Sequence, residues 1–256
     1  MPVLEIDGLP FNYRLDGERD EVLILSNSLG TNLGMWDAQM PAFTRRFKVL
    51  RYDKRGHGAT GLSQAPFGFD RLGRDVLALM DGLGIQRARF CGLSMGGMTG
   101  MWLGANAPQR FEKLVLCNTS AHLPPAELWN ARIEAATQKG MASLVDTVLG
   151  RWFTAPFLER SPALVEPIRQ GLLKTPAAGY AAACAAIRDM DHRELVTRIS
   201  TPALVISGAH DPATPPAAGR FLAAAIPGAR YVELDAAHLS NIEQTAAFNE
   251  AALQFL

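Results

Sequence analysis

The chain has 256 residues, long enough for one large α/β domain or two small ones. Hydrophobic residues make up 48% and charged residues 20%, the balance of a globular protein with a sizeable core. Lys plus Arg and Asp plus Glu both number 25, so the formal net charge is zero, which argues against a nucleic-acid or anionic-membrane surface as the partner.

The N-terminal stretch from Met1 to Asp7 has neither the basic segment nor the long apolar segment of a secretory signal. No apolar run approaches the roughly 20 residues that a membrane helix needs. Val3–Asp7 and Phe11–Leu15 read as strands separated by Gly8-Leu9-Pro10, a hairpin signal. Glu21–Ser26 holds a continuous apolar run typical of a strand buried on both faces. A helix is expected around Asp37–Arg46, a strand over Phe47–Tyr52, and an amphipathic helix over Phe69–Leu83 closed by Gly84. Strand Ala88–Cys91, a helix from Met98 to Ala107 and strand Lys113–Asn118 follow. This alternation predicts an α/β fold with a mostly parallel central sheet and helices on both faces.

The alternation stops after Asn118. Residues from about His122 to Arg188 pattern as helix, are rich in Ala, and are punctuated by Pro124-Pro125, Pro156, Pro162 and Pro176. They read as a helical cap, 121–188, inserted into a core formed by 1–120 and 189–256. Strand Ala203–Ser207, a helix over Ala217–Ala225, strand Arg230–Leu234 and a helix over Gln244–Leu256 complete the core. Cys91, Cys117 and Cys184 lack metal-ligand spacing and read as reduced core residues of a cytoplasmic protein.

Gly92-Leu93-Ser94-Met95-Gly96 is a Gly-x-Ser-x-Gly segment set between a strand and a helix. A serine on such a sharp turn projects its hydroxyl into a cleft, in front of the free N–H groups of a helix N-terminus. Ser94 is therefore the candidate nucleophile, and it needs a base. Of the five histidines, His57 sits in a polar loop, His122 at the cap entrance, His192 in an apparent surface segment, and His210 beside Asp211. His238 follows the last strand, on the sheet edge shared with Ser94, and is the expected base. The carboxylate that orients it is expected to be Asp211, after strand Ala203–Ser207; Asp235 is the rival. The oxyanion donors are expected to be the backbone N–H groups of Met95, next to the nucleophile, and Leu29, in the loop after strand Glu21–Ser26.

These segments resemble the α/β-hydrolase family across nearly the whole chain. The order Ser, Asp, His is that of this family. Within it, Ser26-Asn27-Ser28-Leu29-Gly30-Thr31, His210-Asp211-Pro212-Ala213-Thr214-Pro215-Pro216 and Ala236-Ala237-His238-Leu239-Ser240-Asn241-Ile242-Glu243-Gln244 look most like the bacterial 3-oxoadipate enol-lactone hydrolases of aromatic catabolism. Most of the family carries His-Gly where this chain has Asn27-Ser28. The resemblance implies hydrolysis of an enol-lactone through an acyl-enzyme, with no metal or organic cofactor.

The substrate it implies is a small lactone bearing a carboxylate, which calls for a cation or strong donor in the pocket. The cap offers Arg132, Arg151 and Arg188, each also readable as a solvated surface residue. Trp129 and Trp152 are readable as pocket wall or as core. Ser28, Trp129, Arg132 and Trp152 are the substrate-contact candidates. The competing readings are a carboxylesterase, a perhydrolase or a C–C hydrolase on the same fold, and, from another class, a non-catalytic small-molecule receptor.

Overall fold

The computed structural model describes residues 2–63 and 65–256. Eight strands form one sheet in the order β1-β2-β4-β3-β5-β6-β7-β8: β1 Val3–Ile6, β2 Leu9–Asp16, β3 Val22–Ser26, β4 Lys48–Tyr52, β5 Ala88–Leu93, β6 Phe111–Cys117, β7 Ala203–Gly208 and β8 Arg230–Leu234. The β1–β2 and β2–β4 pairs are antiparallel, and the other pairs are parallel.

The central strands β3 and β7 are apolar almost without interruption because both of their faces are covered, whereas the edge strand β8 exposes Arg230 and Glu233. Successive side chains point to opposite sides, which divides the core in two. Leu23, Leu25, Val49, Cys91, Leu93, Val115, Cys117, Leu204 and Ile206 enter one layer. Ile24, Leu50, Phe90, Leu114, Leu116, Ala203 and Val205 enter the other.

The helices are α1 Met40–Phe43, α2 Phe69–Gly82, α3 Met95–Asn106, α4 Ala126–Glu134, α5 Val145–Trp152, α6 Ala155–Arg160, α7 Pro162–Lys174, α8 Ala177–Arg188, α9 Pro216–Ala225, α10 Ser240–Glu243 and α11 Thr245–Phe255. Val76 and Leu79 of α2 and Leu222 of α9 join the second layer, while Phe43 of α1 and Phe248 of α11 join the first. Helices α4 to α8 all fall between β6 and β7 in the chain.

Two expectations need correction. The helix expected over Asp37–Arg46 is instead a 3₁₀ turn, Leu33–Trp36, followed by the short α1. The Asn32 side chain accepts from Gly34 N–H and starts the turn early, and Pro41 then opens α1 anew. Helix α3 begins at Met95 rather than Met98, directly behind Ser94. Gly96 and Gly97 read locally as helix breakers, but their missing side chains are what allow this helix to approach the sheet.

The strand ends are in register. Ser26 of β3 lies beside Gly92 of β5, Leu93 beside Cys117 of β6, and Gly208 of β7 beside Leu234 of β8. The loops that follow β3, β5, β7 and β8 therefore emerge along one edge of the sheet. Strand order reverses between β3 and β5, and the crevice at that switch point is where open α/β sheets take ligands.

Candidate active site

Ser94 sits at φ +58° and ψ −115°, outside the comfortable region for an L-residue. Its N–H donates to the Cys117 carbonyl at 2.8 Å, and its carbonyl accepts from Met98 N–H at 2.9 Å and from the Thr119 hydroxyl at 2.8 Å. These bonds hold the strained turn in place. A Cβ on Gly92 would come within 2.2 Å of the Gly96 carbonyl oxygen, and one on Gly96 within 2.1 Å of the Ser26 carbonyl oxygen. Glycine is required at both places by backbone contact.

Ser94, His238, Ser28 and Leu29 line one cavity of about 270 Å³. His238 Nδ1 is 2.7 Å from Asp211 Oδ2. Asp211 is further bound by Ala213 N–H at 2.8 Å, Thr214 N–H at 3.0 Å, the Thr214 hydroxyl at 2.7 Å and Asn118 Nδ2 at 3.1 Å. Burial alone would raise the Asp211 pKa, but the His238 ring and the donors of Thr214 outweigh it and hold the carboxyl below its usual range. The rival Asp235 is exposed and pairs with the His210 ring at 2.7 Å. Among the described residues, the Ser94 hydroxyl makes no hydrogen bond to His238, whose ring is engaged through Nδ1 by Asp211 and Thr214.

The His238 segment is fastened on both sides. Ala237 N–H donates to Glu243 of α10 at 3.0 Å, and Leu239 N–H donates to the carbonyl of Trp152, the last residue of α5, at 2.9 Å. Leu29 and Met95 are both buried. Among the described residues, neither backbone N–H donates to a protein acceptor.

The helices between β6 and β7 supply the rest of the wall. Trp129, Arg132, Arg151, Trp152 and Tyr180 all line the cavity, and no Asp or Glu does so among the described residues. The Arg132 guanidinium stacks 5.2 Å above the Trp129 ring, whose N–H donates to the Leu123 carbonyl. Arg188 lies elsewhere, paired with Asp189 and Asn130. Arg132 and Arg151 have no carboxylate within 4 Å among the described residues.

Sequence reasoning missed Tyr180. It is 1% exposed and lines the cavity, with the Cys184 thiol beside its buried hydroxyl. Burial pushes its pKa up, against the nearby charges of Arg132 and Arg151. Its position in an Ala-rich helix carries no local signal of this. Ser28 lines the same cavity, and among the described residues its buried hydroxyl has no partner. His192, expected at the surface, is 8% exposed and packs edge-on against Phe69 at 5.4 Å, because the segment after α8 turns back onto α2. His57 is also buried and lies outside the cavity wall, among the described residues. No described helix is long and apolar enough to cross a membrane.

A strained serine before a helix on a parallel sheet, facing a buried histidine–carboxylate pair, is the arrangement of one fold family. Residues 21–245 match the profile of the alpha/beta hydrolase fold, and the chain belongs to this family. It is 44% identical to 3-oxoadipate enol-lactonase 2 of Acinetobacter baylyi, over 97% of this chain and 93% of that protein. It is 40% identical to 3-oxoadipate enol-lactonase 1 of the same organism, over 94% and 91% of the two chains. The crystal structure of the enol-lactonase from Burkholderia xenovorans LB400 superposes with a TM-score of 0.97 at 49% identity, covering 99% of each chain.

Proposed function

We propose that the protein hydrolyses 3-oxoadipate enol-lactone to 3-oxoadipate. The observation that carries this reading is the charge of the cavity: Arg132 and Arg151, without acidic partners, line the same space as Ser94 and His238, and no carboxylate lines it among the described residues. Such a wall favours a small ester that carries its own negative charge.

In this reading Ser94 Oγ attacks the lactone carbonyl while His238 Nε2 takes its proton, and Asp211 steadies the imidazolium through Nδ1. Leu29 and Met95 N–H groups hold the oxyanion. Collapse breaks the ring C–O bond and expels an enolate, which is protonated by His238 and becomes the ketone. His238 then draws a proton from water, the hydroxide attacks the acyl carbon, and Ser94 leaves with the proton returned. Arg132 and Arg151 bind the substrate carboxylate, with Tyr180, Ser28, Trp129 and Trp152 shaping the pocket. Residues 121–188 act as the cap that sets specificity, and the buried, unpaired cysteines suit a cytoplasmic setting.

The test is lactone hydrolysis by purified protein, followed by ultraviolet absorbance beside p-nitrophenyl acetate. Arg132→Met and Arg151→Met should each lower kcat/KM for the lactone about 10-fold or more and leave the neutral ester within about twofold. Ester hydrolysis without lactone turnover would make the protein a general carboxylesterase.

A further inference from the structure

Lys54 follows β4 and is 2% exposed. Its ammonium donates to the Ser28 carbonyl oxygen at 2.8 Å. The neighbouring Asp53 carboxylate is occupied by Asn12, Leu33 and Ala59. The Ser28 carbonyl also accepts the Thr31 hydroxyl at 2.8 Å and the Thr31 N–H at 3.4 Å. That carbonyl and the Leu29 N–H belong to one planar peptide group. Three donors thus grip one end of the peptide, and the other end has no protein acceptor among the described residues.

A buried ammonium without a directly bonded carboxylate is a liability for folding. Burial pushes the Lys54 pKa down to about 7 against the opposing charge of Asp53. Burial, and then Lys54 itself, push His57 down to about 3. Among the described residues the one hydrogen bond of Lys54 goes to the Ser28 carbonyl, so the charge acts on that peptide.

We propose that Lys54 is a positioning residue for the oxyanion site: it fixes the Ser28–Leu29 peptide with its N–H toward the cavity and polarises it. Drawing electron density onto the carbonyl oxygen makes the N–H across the amide a stronger donor. The benefit grows as negative charge develops on the substrate, so it belongs to kcat rather than KM. This rests on the reading of Leu29 N–H as an oxyanion donor.

The first readout is kinetic. Lys54→Met should lower kcat about 10- to 100-fold for lactone and p-nitrophenyl acetate alike, with KM within about twofold and Lys54→Gln between the two. Its thermal midpoint should not fall, because a buried charge has been removed.

The second readout needs no turnover. The chain has two Ser–Leu dipeptides, Ser28-Leu29 and Ser143-Leu144, so carbonyl-¹³C serine with ¹⁵N leucine leaves two correlated signals. The titratable neighbours of Lys54 are Asp53 and His57 on its own loop. The facing segment 27–31 carries none. The cavity shared by Ser28 and Leu29 also holds Arg132, Arg151, Tyr180 and His238; the arginines keep their charge, burial pushes Tyr180 upward, and the spectrum is taken in His238→Gln. The Ser28–Leu29 signal should titrate over about pH 6–9 and stop titrating when Lys54→Met is added.

A pH-silent signal, or Lys54→Met with kcat within about twofold of wild type, overturns the proposal. A boronic acid bearing a carboxylate separates the two readings. Its boron bonds to Ser94 Oγ, the proton passes to His238, and the tetrahedral anion should shift the Leu29 amide in the wild-type protein. An unmoved amide removes Leu29 as donor and Lys54 with it. A shifted amide with unimpaired Lys54→Met removes the role of Lys54 alone.

Discussion

His238 Nδ1 and Asp211 Oδ2 are 2.7 Å apart although 27 residues separate them in the chain. The contact spans the ends of β7 and β8, and Asn118 and Thr214 complete the carboxylate from two further directions. An amide at position 211 would present donors to donors and release the ring. Asp211→Asn is expected to lower kcat by about 10³–10⁴ with KM little changed. Asp235→Asn, at a residue that pairs with the exposed His210, should stay within about twofold. Steady-state kinetics of the two variants decide which acid serves His238.

The strain at Ser94 gives a separate, thermodynamic expectation. Ser94→Ala should abolish turnover and leave stability close to wild type, because alanine keeps the Cβ at φ +58°. Ser94→Gly should be more stable than Ser94→Ala by about 1 kcal/mol, since glycine is at ease there and the relief exceeds its extra unfolded-state entropy. Urea unfolding of the three proteins measures the difference; equal midpoints would mean the elbow stores no strain.

Among the described residues, the buried Ser28 hydroxyl has no hydrogen-bond partner, and the Tyr180 hydroxyl has only the Cys184 thiol beside it. Tyr180→Phe therefore removes a buried hydroxyl with a weak partner and should unfold at the same temperature or higher. Its kcat/KM for the lactone should nonetheless fall about 10-fold, the loss of one hydrogen bond to an ionised group. Ser28→Ala should behave alike. A matched fall in stability and activity would show that the hydroxyls serve packing.

Arg55 and Asp75 form a buried two-pronged pair, with bonds of 2.5 and 2.7 Å, and Arg71 joins the same carboxylate at 3.1 Å. Asp75→Ala strands the Arg55 charge beneath α2 and should cost about 3–5 kcal/mol. Adding Arg55→Met should recover part of that loss. A double variant as unstable as the sum of the singles would show that the two residues act independently.

The buried His57 contributes to the acid limb of stability. Burial first, then the charge of Lys54, lower its folded pKa to about 3, against a hydrogen bond to the Arg55 carbonyl. Above its unfolded pKa of about 6.5, neither state holds the proton. Between there and about 3 the unfolded chain alone does, so stability falls as pH drops through this window. The slope is about 1.4 kcal/mol per pH unit from this group. His192, lowered to about 4 chiefly by burial, adds to it above that value. His57→Gln should flatten the limb by one proton's worth, read from urea midpoints between about pH 4 and 6.5.

Where sequence and structure diverge, the cause is local signal meeting non-local packing. The strands β3 to β8 are legible within a residue or two; in β3 and β7 the reason is that burial on both faces demands continuous apolar runs. The start of α3 is not, because the glycines that count against a helix are needed where Ser26 and Thr119 press on it. His192 reads as surface from its polar neighbours Asp191 and Arg193, yet the chain folds it under Phe69.

The same division runs through the candidate site. Strand alternation and the Gly-x-Ser-x-Gly turn are encoded within short windows, so the sequence by itself determined the sheet, the place of Ser94 on it, and loops bearing Asp211 and His238 on the same edge. The tertiary structure alone decided that His238 meets Asp211 while Asp235 meets His210. It decided too that Arg132, Arg151 and Tyr180 line the cavity while Arg188 turns to Asp189, and that Lys54 bonds the Ser28 carbonyl. The carboxylate pairings join the loops after β7 and β8, and the arginines and Tyr180 reach the cavity through the placement of α4, α5 and α8. Periodicity tells which face of a helix is buried, and not what that face will meet.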